Sequence, residues 1–367
     1  MFEIGRSKRA QQAFAFDDIS IVPSRRTRGD EEVSLQWRID AYTFAFPLIA
    51  APMDSVVSPA TAIRIGQLGG LGVLNLEGLW TRYEDPEPMI EKIIGVGDAT
   101  EVTQLMQRIY AEPIKSELIG KRIAEIRGAG VPAAGSLSPQ NTQAFAGAVV
   151  DAGVDFFVIR GTTVSAEHVS SDLIPLNLKQ FIYELDVPVI VGGCATYQAA
   201  LHLMRTGAAG VLVGFGGGAA STSRSVLGVA VPMASAVSDV AEARRDYLDE
   251  SGGRYVHVIA DGSVGRSGDI AKAIACGADA VMVGSPLAKA VEAPGSGYHW
   301  GAEAWHANLP RGERAWFGTV GTLDQILLGP STVPDGTMNL VGALRKAMST
   351  TGYTEIKEFQ RVEVVVG

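Results

Sequence analysis

Two short loops carry residue types suited to holding a phosphate and a ribose. Ile259-Ala260-Asp261-Gly262-Ser263 and Val283-Gly284-Ser285-Pro286 each run from an apolar stretch into a glycine turn. Glycine lets a backbone N–H approach an anion that a side chain would block. Asp261 supplies an acceptor for ribose hydroxyls. A third stretch is Gly214-Phe215-Gly216-Gly217-Gly218-Ala219-Ala220-Ser221-Thr222-Ser223-Arg224, whose four glycines free the backbone to wrap a ligand or an ion. Each stretch could also be a plain turn or a flexible surface loop. Their shared place, directly after a buried apolar run, favours binding. Cys194 ends another such run. It reads as a small buried residue, with a substitute nucleophile as the alternative. Cys276 reads as structural and His257 as a core residue. Either role is open for His299 and His306.

These residues need elements to position them, and one pattern recurs. A helical stretch ends at glycine and an apolar run follows. It occurs at Gly69-Gly70 before Leu71–Leu74, Gly130 before Val131–Ala134, Gly153 before Val154–Ile159, Gly207 before Val211–Val213, and Gly277 before Ala280–Val283. Glycine tolerates the left-handed conformation that ends a helix. A continuous apolar run fits a parallel strand buried on both faces. Pro47–Ala51, Val187–Val191 and Tyr255–Ala260 complete eight runs, the count of a (β/α)₈ barrel. A doubly wound open sheet would usually carry a glycine fingerprint after its first strand. Here Pro52-Met53-Asp54-Ser55 follows instead.

Residues 79–127 exceed an ordinary barrel connection and read as extra helices, over Glu101–Ile109 and Ile119–Ile126, rather than a second domain. Gly295–Gly336, with Trp300, Trp305, Pro310, Trp316 and Pro330, reads as an irregular cover over the C-terminal face. A helix from Leu340 and an extended end, Val362–Val366, close the chain.

The 367 residues are 47% hydrophobic and 19% charged, which is globular composition. A formal net charge of −9 argues against nucleic-acid binding. The one basic cluster, Arg25, Arg26 and Arg28, reads as a solvated turn. Two cysteines suggest a reducing, cytoplasmic compartment. No signal peptide or membrane span is expected.

The motifs together resemble the IMP dehydrogenase / GMP reductase family. Its loop G-x-G-P-G-S-x-C-T-T-R then V-P-Q is matched by Gly214–Arg224 and Val231-Pro232-Met233. Its A-D-G-G-I-x-x-S-G-D is matched by Ala260–Asp269, and its G-S-L-L-A by Gly284–Ala288. E-A-P-G corresponds to Glu292–Gly295, F-D-D-x-x-x-V-P to Phe16–Pro23, A-x-M-D-T-V to Ala51–Val56, and G-x-L-R to Gly342–Arg345. The resemblance covers nearly the whole chain and points to the branch lacking the regulatory CBS pair. It implies a single barrel domain over residues 1–367 and a cytoplasmic homotetramer. The implied activity is that of an NAD-dependent oxidoreductase converting inosine monophosphate toward guanine nucleotides. It places substrate contacts at Met53, Gly218, Ala219, Ser223, Asp261, Gly262, Ser263, Gly284 and Ser285. The catalytic stretch falls at Ser221, Thr222 and Arg224, and the nicotinamide side at Arg160, Gly214 and Gly216. A monovalent cation (K⁺), where the family uses one, would sit on carbonyls of Gly216, Gly218 and Ser221.

The departures matter equally. The family nucleophile is cysteine, and here Ser221 stands in its place. A thiol titrates near 8.5, whereas a serine hydroxyl needs an adjacent base. The family aspartate at the nicotinamide riboside aligns with Arg160, and its G-N-V-A-T reads Gly193-Cys194-Ala195-Thr196. The phosphate-binding serine is Ala219. The flap with its water-activating Arg-Tyr pair is not visible, since only Pro330–Asn339 separates Gly329 from the last helix. Two alternatives stand beside the dehydrogenase reading. One is a catalytically silent purine-nucleotide-binding regulator. The other is an FMN-dependent barrel oxidoreductase, which would be yellow when purified.

Overall fold

The eight apolar runs become eight strands: β1 (Leu48–Ala50), β2 (Leu71–Asn75), β3 (Ala134–Leu137), β4 (Phe156–Arg160), β5 (Val189–Cys194), β6 (Gly210–Val213), β7 (His257–Asp261) and β8 (Ala280–Val283). They form a closed parallel barrel in consecutive order, sealed where β8 pairs with β1, Val281 opposite Leu48 and Val283 opposite Ala50. This computed structural model describes residues 2–166, 175–215, 217–308 and 314–367. Gly216 and Pro310, both singled out above, lie outside the described residues.

Pairing begins later than the runs imply at five strands, β1, β3, β4, β5 and β7. Pro47 and Pro188 have no N–H to give a ladder, so β1 and β5 start at Leu48 and Val189, and Asp155 Oδ2 takes the Ala133 N–H at 2.8 Å, so β3 starts at Ala134. The helix-ending glycines behave as the pattern requires. Gly69, Gly130, Gly153, Gly207 and Gly277 all have φ between +76° and +111°.

The helices are α1 (Pro59–Leu68), α2 (Glu87–Gly95), α3 (Ala99–Ile109), α4 (Ser116–Gly128), α5 (Pro139–Asp151), α6 (Leu178–Tyr183), α7 (Tyr197–Met204), α8 (Met233–Glu250), α9 (Ser267–Ala275), α10 (Leu323–Leu328), α11 (Leu340–Thr350) and α12 (Ile356–Phe359). The insertion after β2 is helical, as expected, and forms α2, α3 and α4. Its apolar side, including Ile93, Val102 and Met106, shares one core with Trp300 and Ala304 of the covering segment. That segment is less irregular than its composition suggests. It contains α10, started by Thr322, whose hydroxyl accepts the Gln325 N–H at 3.2 Å. The end of the chain, Val364–Val366, pairs antiparallel with Ile19–Ile21.

A hairpin of Trp37–Ile39 and Tyr42–Phe44 packs Trp37, Ile39 and Phe44 into the barrel interior with Ile49, Phe156, Ile190 and Ile259. It closes the N-terminal end, so access to the barrel lies at the other rim. Trp37 Nε1 donates to His257 Nδ1 at 3.3 Å, which makes His257 part of that plug. Burial lowers the His257 pKa below its usual value. No helix among the described residues is long and apolar enough to cross a membrane.

Candidate active site

The C-terminal ends of the strands bring most of the expected residues to one rim. Because β7 and β8 are parallel neighbours, with Asp261 opposite Met282, the turns Gly262-Ser263 and Gly284-Ser285 lie side by side. Among the described residues, no backbone carbonyl accepts the N–H of Ser263 or Ser285. Both remain available to an anion. The β6 loop is tied to the same turn, since Ser263 Oγ donates to Gly217 O at 3.0 Å. Gly214 has φ +124°, and a Cβ there would stand 2.5 Å from Asp261 O, so only glycine lets β6 and β7 end this closely.

Asp261 is not a free ribose acceptor. Arg160, at the end of β4, forks onto it with Nε–Oδ2 2.8 Å and Nη2–Oδ1 3.3 Å. Burial alone would lower the Arg160 pKa. The negative charges of Asp261 and Glu303 more than offset it, and the pKa is raised. Glu303 comes from the covering segment and had no signal in the sequence pattern. A carboxylate has about four lone-pair sites, so Asp261 can still accept a hydroxyl.

The β6 loop places Ser221 with little help. Ser221 N donates to Gly218 O at 3.0 Å. Its hydroxyl meets the Ser223 hydroxyl and amide, each at 3.4 Å, and no base among the described residues reaches it. Thr222 and Ser223 are buried, while Arg224 and Ala219 face solvent. Of the carbonyls expected to hold a monovalent cation, Gly218 and Ser221 are described. No cluster of three or more His, Cys, Asp or Glu side chains that could hold a metal occurs among the described residues.

Cys194 ends β5 but is sealed off. It is 1% exposed, its Sγ contacts Leu212 O at 3.5 Å, and burial pushes the thiol up to about 12. At neutral pH it stays a thiol, so it fits the structural role. The histidines of the covering segment separate. His306 is exposed. His299 is buried, with Nδ1 3.3 Å from Ser55 Oγ and its ring beside Gly284.

Met53 bridges the rim to the cover. Its Sδ is 3.4 Å from the Cβ position of Gly284, and its Cε is 2.9 Å from that of Gly301. Beneath it, Asp54 is buried. Tyr110 OH donates to Asp54 Oδ2 at 2.7 Å, and Trp300 Nε1 donates to Tyr110 OH at 2.9 Å. This chain locks β1, the insertion and the cover together. Burial, opposed by the Tyr110 bond and the Arg82 charge, pushes the Asp54 carboxyl up to about 6, from 3.8. The native state therefore holds this proton more tightly than the unfolded chain, and stability falls as pH rises between those values, by about 3 kcal/mol at most. Asp54→Asn should flatten urea-derived stability over that window and raise it at pH 7. An unchanged slope in the variant would rule out Asp54 as the titrating group.

Comparison with known proteins agrees with this architecture. The IMP dehydrogenase / GMP reductase domain model matches residues 13–307. An uncharacterized oxidoreductase of Mycolicibacterium smegmatis is 52% identical over 374 aligned positions, covering 100% of both chains. The inosine-5′-monophosphate dehydrogenase of Thermoplasma acidophilum is 27% identical, covering 95% of this chain and 90% of its own. A crystal structure of an IMP dehydrogenase/GMP reductase-like protein from Corynebacterium glutamicum superposes with a TM-score of 0.94. It is 49% identical, covering 100% of this chain and 97% of that one.

Proposed function

The chain belongs to the IMP dehydrogenase / GMP reductase family, and on that premise we propose that it binds an inosine monophosphate-like purine 5′-nucleotide at the β7–β8 rim. The observation that carries this reading is the pairing of the Ser263 and Ser285 turns on adjacent strands, with Asp261 beside them. Main-chain N–H groups there suit a phosphate, and Asp261 suits a ribose. Met53 and the Gly218–Ser223 loop line the approach to the base.

The family frame is that of an oxidoreductase, and NAD is the cofactor it implies. The residues here fit NAD poorly. Arg160 sets a guanidinium, anchored on Asp261, at the strand end where the resemblance expects a carboxylate toward the nicotinamide riboside. A guanidinium is donor-only, so it cannot accept the riboside hydroxyl bonds that a carboxylate there would take. Ser221 favours a second reading within the same frame. With no base among the described residues reaching its hydroxyl, the protein binds the nucleotide and oxidises it little or not at all, as a silent regulatory relative would. A single unit without CBS domains, homotetramer assembly, a cytoplasmic place and a role in guanine nucleotide supply rest on the family alone.

Calorimetry with a nucleotide panel tests binding. Purine 5′-monophosphates should bind far more tightly than their nucleosides. Asp261→Ala should weaken monophosphate binding by roughly 1.5–3 kcal/mol. Equal affinity for inosine and its monophosphate overturns the phosphate site. An NADH-formation assay tests the second point. Turnover at an ordinary rate of about 1 per second or more overturns the reading of Ser221.

A further inference from the structure

We infer that Glu303 reads the base of the bound nucleotide and selects an edge with two adjacent N–H donors, the edge that guanine presents. This deepens the nucleotide reading above and rests on it. The phosphate and ribose of that reading are common to every purine 5′-monophosphate. Asp261 and the two glycine turns therefore cannot tell one base from another.

The covering segment brings a group that can. It crosses the rim at Gly301, where three elements meet. A Cβ at Gly301 would stand 2.9 Å from Met53 Cε, 3.2 Å from Glu303 Oε2 and 4.0 Å from Ala220 Cβ. Met53 and the loop that holds Ala220 line the approach to the base, so the Glu303 carboxylate stands at the base end of the site. Arg160 marks the same place from the ribose side. Its guanidinium is hydrogen-bonded to Asp261, and Glu303 acts on it by charge alone. Arg160 thus leaves both Glu303 oxygens open to a ligand.

The chemistry of a carboxylate then does the selecting. It accepts hydrogen bonds and donates none. Guanine carries N1–H and its C2 amino group side by side, spaced for two carboxylate oxygens as the fork of an arginine is. Hypoxanthine has N1–H and no second donor. Adenine sets a bare N1 beside its amino group, so a lone pair faces the carboxylate. Glu303 is half-buried, and a partly desolvated charge loses more when a donor is missing.

Calorimetry with the 5′-monophosphates of guanosine, inosine and adenosine, on wild type, Glu303→Gln and Glu303→Ala, tests this. Wild type should bind the guanosine nucleotide about ten- to hundred-fold more tightly than the inosine one, the worth of one further hydrogen bond to a charged group. The adenosine nucleotide should bind weakest. Glutamine offers one acceptor and one donor in place of two acceptors, and alanine offers neither. In both variants the guanosine preference should vanish. The ratio of affinities is the readout, because a loss of shape or of charge alone moves all three ligands together. Equal affinities in the wild type, or a preference that both variants keep, overturn the role of Glu303 and leave nucleotide binding standing. A wild type that binds none of the three overturns both. Should neither variant fold, the wild-type ranking decides, since any order but guanosine, inosine, adenosine sinks the inference.

Discussion

Replacing Asp279 with alanine should lower the unfolding free energy by roughly 3–5 kcal/mol. Asp279 precedes β8 and is wholly buried. Its Oδ2 accepts Arg244 Nη1 and the Val258 N–H, each at 2.8 Å. Its Oδ1 accepts Tyr255 OH at 2.7 Å and Gln360 Nε2 at 3.1 Å, and Lys357 also reaches it. Arg244, on α8, is itself buried. Without Asp279 it keeps the Gly277 carbonyl at 3.2 Å and the Tyr255 ring below it, but no counterion. An uncompensated buried charge is the source of the loss. Chemical denaturation should show it. A change below about 1 kcal/mol, the range of exposed ion pairs, would sink the argument. The site is at the far rim, so the folded variant should bind nucleotide as the wild type does.

Asp279 also marks what the sequence pattern carried and what it hid. The recurring glycine announced each helix end, and the barrel count followed from it. Two residues after Gly153 and Gly277 stand Asp155 and Asp279. They do the same job, each accepting a backbone N–H at 2.8 Å, from Ala133 just before β3 and from Val258 in β7. This Gly-x-Asp repeat was legible in principle, because both copies sit at one offset from the glycine. The plug of Trp37, Ile39 and Phe44 was not, since nothing in a short hairpin tells which end of a barrel it will fill. Local spacing placed Asp261, Gly284 and Ser285 on one rim, because strand order alone makes their loops neighbours. It could not pair Arg160 with Asp261, bring Glu303 toward Arg160, or seat His299 on Gly284. Those contacts join residues 101, 143 and 15 positions apart, from 160 to 261, 160 to 303 and 284 to 299. Only closure of the barrel and docking of its cover create them.

Ser221→Cys should turn a chain that forms no covalent purine adduct into one that forms it fully with 2-chloroinosine 5′-monophosphate. The serine hydroxyl touches Ser223 and no base among the described residues, so at neutral pH it stays protonated. A thiol at the same place ionises near 8.5 without help. The Ser223 N–H, which points at this side chain from 3.4 Å, favours the thiolate further. Attack forms one S–C2 bond, the C2–Cl bond breaks, and chloride leaves. No oxidant is consumed, so the step is independent of NAD and of the Arg160 charge. Mass spectrometry should show the variant heavier by the nucleotide less hydrogen chloride, with the label at position 221 after digestion. The wild type is the internal control, because it keeps Cys194. That thiol, pushed up to about 12 and 1% exposed, should remain unlabelled. Labelling of wild type at Cys194 would mean that the nucleophile has moved to β5. Failure of the variant to label, with the halonucleotide still competing against inosine monophosphate, would mean that position 221 does not face C2. The assignment of the β6 loop would then be wrong while nucleotide binding stood.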